Sequence, residues 1–317
     1  MSARYEGTAE FNARHPEENQ YGQTLGIDLH SRGGRRFDLR ITESVAYVPE
    51  LPAFSFGRSG DPLAPEANQG IQVGRTNTFR NRAGMVLGYR WTPLFSASLS
   101  YNNLINRYQG GTLRDHIVHE GGLSGNYQAS RNLQWRISYS ASLKEYEEAD
   151  SILAHQSDIG AVYQINRTFR ANLGAGAALI PGDSTQWTFG AGVEKTGPMG
   201  SLSLQYIRGI GTGGGVTTTP TLTQNLVAGV TRVLGRSASA SLRFGYGVNE
   251  ALSGSPLEIS TQEVGIEMQA SLFSWLSGGV NYSYLSQRTE GGATDRGARR
   301  NLVMVTLTAA PALRIMQ

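Results

Sequence analysis

The sequence contains no cysteine, which excludes disulfides, thiolate nucleophiles, iron–sulfur clusters and structural zinc held by sulfur. Its absence also suits passage through an oxidising compartment. Lysine is nearly missing: Lys144 and Lys195 are the only two among 28 basic residues, so almost every positive charge is a planar guanidinium. Charged residues make up 17% of the chain, against roughly 25% in ordinary soluble domains. A net charge of +3 is too near balance to imply a nucleic-acid partner. No stretch approaches the ~18 consecutive apolar residues of a membrane-spanning helix, and no amphipathic helical stripe is present. No basic, apolar and small-residue succession marks a signal peptide at the start, so the expectation is an unexported chain or one whose leader has been removed. The 40 glycines show no three-residue period, which excludes collagen and leaves them to serve a folded backbone. With 317 residues, 39% of them hydrophobic, the chain is long enough for one large domain or two small ones.

What is present is alternation. Leu133, Trp135, Ile137, Tyr139, Ala141 and Leu143 share one face of a strand, while Gln134, Arg136, Ser138, Ser140 and Ser142 share the other. In the same way Phe169, Ala171, Leu173, Ala175 and Ala177 oppose Arg170, Asn172 and Gly174, and Leu242, Phe244, Tyr246 and Val248 oppose Arg243, Gly245 and Asn249. Cutting at turn signals predicts strands over 4–14, 21–30, 35–48, 78–91, 95–109, 116–130, 132–147, 154–166, 168–181, 184–197, 200–213, 220–234, 237–251, 259–273, 276–290 and 299–314. Many exceed the ~5–6 residues usual in globular sheets.

The connections alternate in length. Short turns fall at Ser31–Gly34, Thr92-Pro93, Ala129–Arg131, Asn166-Arg167, Gly197-Pro198, Leu234-Gly235 and Ser274-Trp275. Between them lie links 15–20, 49–77, 110–115, 148–153, 214–219, 252–258 and 291–298, with Pro181-Gly182-Asp183 as a short exception. Such asymmetry predicts an all-β fold, a single closed antiparallel transmembrane β-barrel of about 16 strands filling residues 1–317, with tight periplasmic turns and longer extracellular loops. Closure is required because hydrocarbon offers backbone groups no partners. The competing architecture is a soluble propeller or β-helix, which needs shorter strands and a sequence repeat that the chain lacks. Trp91, Phe95, Trp135, Phe169, Phe273 and Trp275 beside the short turns, and Tyr47, Tyr108, Tyr146, Trp187 and Tyr284 near the outer links, are the candidate interfacial girdles.

Strand parity assigns candidate lumen residues. Arg40, Arg90, Arg136, Arg170 and Arg243 form an expected basic belt, most of it close to the short turns. Asp38, Glu194 and Glu267 lie toward the same end, with Glu120, Asp158 and Glu263 nearer the outside. Facing rows of opposite charge select ions or bind oriented anions and sugars; equally, they neutralise each other and brace a wall. Tyr101, Tyr139, Tyr206 and Tyr246 have lipid-facing parity, so no aromatic sugar slide is expected, although Tyr108 has lumen parity if its strand keeps register. His116 and His119 would point to opposite faces of a strand and so cannot share a metal. The run Gly211–Gly215 lacks the Lys-Ser/Thr of a phosphate loop. The link 49–77 carries Pro49, Pro52, Pro62 and Pro65 beside Phe54 and Phe56, and reads as a lid, an inward constriction or an external flap.

On these features the chain resembles bacterial outer-membrane barrels of 16-stranded porin size over essentially its whole length. Segments such as Tyr89–Tyr101 (YRWTPLFSASLSY) look similar to barrels of exopolysaccharide-export systems. The chain ends Leu313-Arg314-Ile315-Met316-Gln317, without the terminal aromatic common in such barrels, and starts directly before the first strand, as expected of a mature chain or an excised barrel domain. The resemblance implies an outer-membrane channel passing hydrophilic solutes or an exported polysaccharide, without enzymatic activity or cofactor. Its expected partners are outer-membrane lipid, lipopolysaccharide and a periplasmic secretion component. The alternatives are a structural barrel filled by a loop or partner protein, and a rim-site hydrolase using His30, His119 or His155.

Overall fold

The computed structural model describes residues 2–10, 20–48, 54, 70–71, 76–109, 113–147, 149–182, 185–211, 216, 219–254, 256–273, 275–291 and 296–309. They form sixteen strands: β1 (Ser2–Glu10), β2 (Gln20–Gly33), β3 (Phe37–Val48), β4 (Asn77–Arg90), β5 (Phe95–Gln109), β6 (His116–Gln128), β7 (Leu133–Tyr146), β8 (Ala149–Gln164), β9 (Phe169–Leu179), β10 (Thr185–Gly197), β11 (Gly200–Gly211), β12 (Thr221–Leu234), β13 (Ala238–Ala251), β14 (Glu258–Phe273), β15 (Leu276–Glu290) and β16 (Arg296–Ala309). All belong to one antiparallel sheet, with each strand paired to its neighbour in chain order from β1 to β16.

The tight turns are built by short polar side chains. Thr92 Oγ1 accepts from the backbone N–H groups of Leu94 and Phe95, at 3.2 and 3.0 Å. Ser130 Oγ does the same for Asn132 and Leu133, at 3.3 and 3.1 Å, and Asn166 Oδ1 for Thr168 and Phe169, both at 2.9 Å. A side-chain oxygen replaces the missing ladder partner, so each hairpin reverses without a long loop. Beside these turns aromatic rings pack on one another, Trp91 stacked on Phe95 at 5.4 Å and Phe273 on Trp275 at 6.0 Å.

The two faces of the sheet differ. One exposes aliphatic and aromatic side chains, with Ile137 at 63%, Leu173 at 57% and Val305 at 69% accessible. About midway along the strands, that face pairs tyrosines with polar groups of the next strand. Tyr101 Oη meets His119 Nδ1 at 2.9 Å, Tyr139 Oη meets His155 Nδ1 at 2.8 Å, Tyr206 donates to Gln224 at 3.1 Å and Tyr282 to Asn301 at 2.8 Å. The opposite face carries serines, amides and charges, as in the row Ser98–Ser124–Ser138–Asp158 that runs across β5 to β8.

The sheet curls with the polar face inside. Phe54, six residues beyond the end of β3, packs on Leu285 of β15 and Val227 of β12. In a flat sheet β3 and β12 would stand nine strands, about 43 Å, apart, whereas six residues reach at most ~22 Å. The contact exists only because the sheet bends the far strands back toward β3.

Three expectations are corrected. Tyr108 and Tyr146 do not belong to the outer aromatic girdle: they lie on the inner face with His116, and Tyr146 is buried under Lys144, whose Nζ stands 4.5 Å from the ring centroid. The link 148–153 is largely strand, because β8 begins at Ala149. Its polarity suggested a loop, but a ladder extending beyond an apolar band has no reason to alternate. The last strand starts at Arg296 instead of 299. Residues 11–14 and 310–314, expected to be strand, lie outside the described residues, as do 212–215 of the glycine run, Ser274 and most of 49–77.

Candidate functional site

The inner face is the candidate site. The ladder registers bring all five arginines and all six carboxylates singled out in the sequence onto it, since each shares parity with its neighbours across β3 to β14. Arg90 ends β4 and Arg170 is the second residue of β9; Arg40 and Arg136 are each the fourth of their strands, and Arg243 is the sixth of β13.

Their partners divide them. Arg40 makes a forked contact with Asp28, Nη2 to Oδ2 at 2.6 Å and Nε to both oxygens at 3.2 Å. Arg170 pairs with Glu194 across β9 and β10 at 2.5 Å, and Arg243 with Glu267 across β13 and β14 at 3.3 Å. Asp38 is held by His30 at 2.7 Å and Arg32 at 3.5 Å. Arg90 and Arg136 make no ion pair or side-chain hydrogen bond among the described residues, and both are exposed. Among the described residues three of the five arginines are therefore ion-paired and two, Arg90 and Arg136, are not.

Asp158 accepts from Thr188 at 2.7 Å across the intervening β9, and from Gln156 at 2.8 Å. Gly176 lies between the first two, where a Cβ would come within 2.8 Å of Thr188 Oγ1, so this crossing requires glycine. Glu120 and Glu263 lie on the same face, on β6 and β14.

Parity reasoning could have added Asp28, Arg80, Arg82 and Lys144, which have inner-face positions on β2, β4 and β7. Their positions were legible from the same alternation. Phe54 and Ile71 carried no such signal, because nothing in a proline-rich link says which wall it meets. Ile71 is fully buried against Ile259, Leu113 and Leu257, near the ends away from the tight turns.

His116 and His119 face opposite sides of β6. His116 bonds Asn106 at 2.9 Å on the inner face, and His119 bonds Tyr101 on the outer one. Among the described residues no group of three or more His, Cys, Asp or Glu side chains is arranged to hold a metal ion. The described partners of the three candidate rim histidines include no serine: His30 bonds Asp38, His119 bonds Tyr101 and Asn103, and His155 bonds Tyr139.

No protein-family model matches the chain. No curated protein matches it either. Among solved structures it is similar to the siderophore receptor PirA from Pseudomonas aeruginosa, at 9% identity and a TM-score of 0.47 over 96% of this chain and 67% of that one. It is similar to the alcaligin outer membrane receptor FauA from Bordetella pertussis, at 11% identity and a TM-score of 0.42 over 98% and 65%. It is also similar to OccK3 (OpdO) from Pseudomonas aeruginosa, at 12% identity and a TM-score of 0.46 over 97% and 94%. The chain spans about two thirds of the length of the two receptors and most of OccK3.

Proposed function

We propose that the chain is a bacterial outer-membrane channel whose sheet closes by pairing β1 with β16 and whose inner face lines a path for hydrophilic solutes. The observation that carries this reading is the opposition of two faces on one uninterrupted sixteen-stranded antiparallel sheet, apolar and exposed outside, polar and charged inside. An exposed apolar face of this extent suits hydrocarbon, and in hydrocarbon an open sheet edge would leave a row of orphaned backbone groups, each costing several kcal/mol. The longer links then face outward, where lipopolysaccharide is the partner, and the tight turns face the periplasm, where a secretion component would dock.

Arg90 and Arg136 give the path an anion preference, while the paired arginines keep the wall rigid. Phe54 and Ile71, which lie against the inner wall, narrow the path as a constriction. The cargo is a small hydrophilic solute or an exported polysaccharide, and the reading involves no chemistry on it. A second reading, a scaffold whose interior is filled by this link, is favoured by the burial of the same two residues.

Planar-bilayer recordings separate them. A steady current with anion preference, reduced in an Arg90→Ala/Arg136→Ala variant, supports the channel. A wild type that stays closed at all voltages supports the scaffold.

A further inference from the structure

Three buried side-chain atoms without a hydrogen-bond partner fall together on the inner face of β12 and β13: Thr221 Oγ1, Asn225 Oδ1 and Asn249 Nδ2. Thr221 is 2% and Asn249 1% exposed. They fall in three successive inner-face rows, Thr221 beside Ala251, Thr223 beside Asn249, and Asn225 beside Gly247, Thr261 and Gln287. Thr223 donates to Asn249 Oδ1 at 2.7 Å and Thr261 to Gln287 Oε1 at 3.0 Å, so the rows are a neutral lattice of amides and hydroxyls with unused capacity at Thr221, Asn225 and Asn249.

The row of Asn225 and Gly247 is covered by the ring of Phe54 and by Gly70: a Cβ on Gly247 would stand 3.1 Å from Phe54 Cε1 and 2.6 Å from Asn225 Oδ1, and a Cβ on Gly70 also 2.6 Å from Asn225 Oδ1. An aromatic ring cannot satisfy these atoms. Each orphaned group costs about 1–3 kcal/mol when buried, and native walls hold few of them. Three such atoms on one stretch of wall, part of it under an aromatic ring, are a poor way to build a passive wall and a good way to build a seat that is filled by something else.

We infer that this wall is a binding site for a neutral, polyhydroxylated solute of carbohydrate type, and that Phe54 occupies the site in its absence. Amide oxygens and nitrogens bond vicinal hydroxyls of such a solute, the glycines leave depth for its ring, and Phe54 offers a face for its C–H groups once displaced. None of Thr221, Thr223, Asn225, Asn249, Thr261 and Gln287 is charged, which disfavours an ionic ligand. The inference deepens the channel reading and rests on it for access to the site.

The test is current blockade by neutral six-unit glucose oligomers, α- and β-linked, on the Phe54→Ala channel, with an oligogalacturonate of the same length as the charged comparison. Blockade by a neutral oligomer is expected, with the association constant falling about tenfold in the Asn225→Ala and Thr221→Val backgrounds and holding in Ser140→Ala on β7. Undiminished blockade in both backgrounds, or blockade by the anionic oligomer alone, overturns the site. Thermal unfolding in detergent answers independently of conduction. Thr221→Val should match or exceed the wild type without sugar, and the sugar should raise the midpoint of the wild type only. A destabilised Thr221→Val with no sugar effect on either protein marks the cluster as structural and overturns the proposal. An absence of any ion current with the detergent result intact removes the channel reading and leaves the site.

Discussion

Phe54, in the link that leaves β3, lies against Gly245 on β13, ten strands further along the sheet, and a Cβ on that glycine would fall 2.7 Å from the ring's Cγ. The missing side chain on one strand is what admits the ring from the other side of the interior.

Phe54→Ala should therefore raise single-channel conductance, and so should Gly245→Val, which displaces the ring without altering the sequence of the link. Loss of a buried ring costs roughly 3 kcal/mol in a packed core, so Phe54→Ala should also unfold at lower temperature. Unchanged conductance in both variants would remove the link from the conduction path.

Pairing predicts which inner-face charges govern selectivity. Arg136→Ala removes an unpaired charge and should move the reversal potential under a KCl gradient toward the cation side. Glu194→Gln frees Arg170 from its ion pair and should move it the other way. Shifts of the same sign in both variants would show that pairing does not set the field.

The Asp158–Thr188 bond crosses β9 above Gly176. Gly176→Val should cost about 1–3 kcal/mol by overpacking, and Thr188→Val, which orphans one carboxylate oxygen, roughly 1–3 kcal/mol. Heat-modifiable mobility on gels reads both as a lower transition temperature. Wild-type behaviour of Gly176→Val would show that the crossing is not tight.

Facing is tested by placing the same charge on either side. Val280→Arg, on the exposed apolar face of β15, should destabilise the protein in lipid vesicles by about 2–4 kcal/mol if it meets the bilayer midplane. Ser140→Arg, on the inner face of β7, should cost far less. Tryptophan fluorescence during reversible unfolding in vesicles compares them, and equal costs would contradict the assignment of faces.

Much of the architecture is legible in alternation alone. The runs 95–109 and 276–290 coincide with β5 and β15, and the lipid-facing parity expected of Tyr101 and Tyr139 matches the face on which they bond His119 and His155. The error at 148–153 has the same root, since polarity marks a loop only where the strand on either side needs an apolar face.

The sequence by itself determined the strand period, the sites of tight turns and which residues share a face, because these depend on neighbours one to four positions away. The tertiary structure decided which arginines are paired, that Tyr146 is buried beside His116, and where Phe54 comes to rest. Each of these depends on inter-strand register and on the curl that brings β12 to β15 opposite β3, and both arise from contacts between residues tens to hundreds of positions apart.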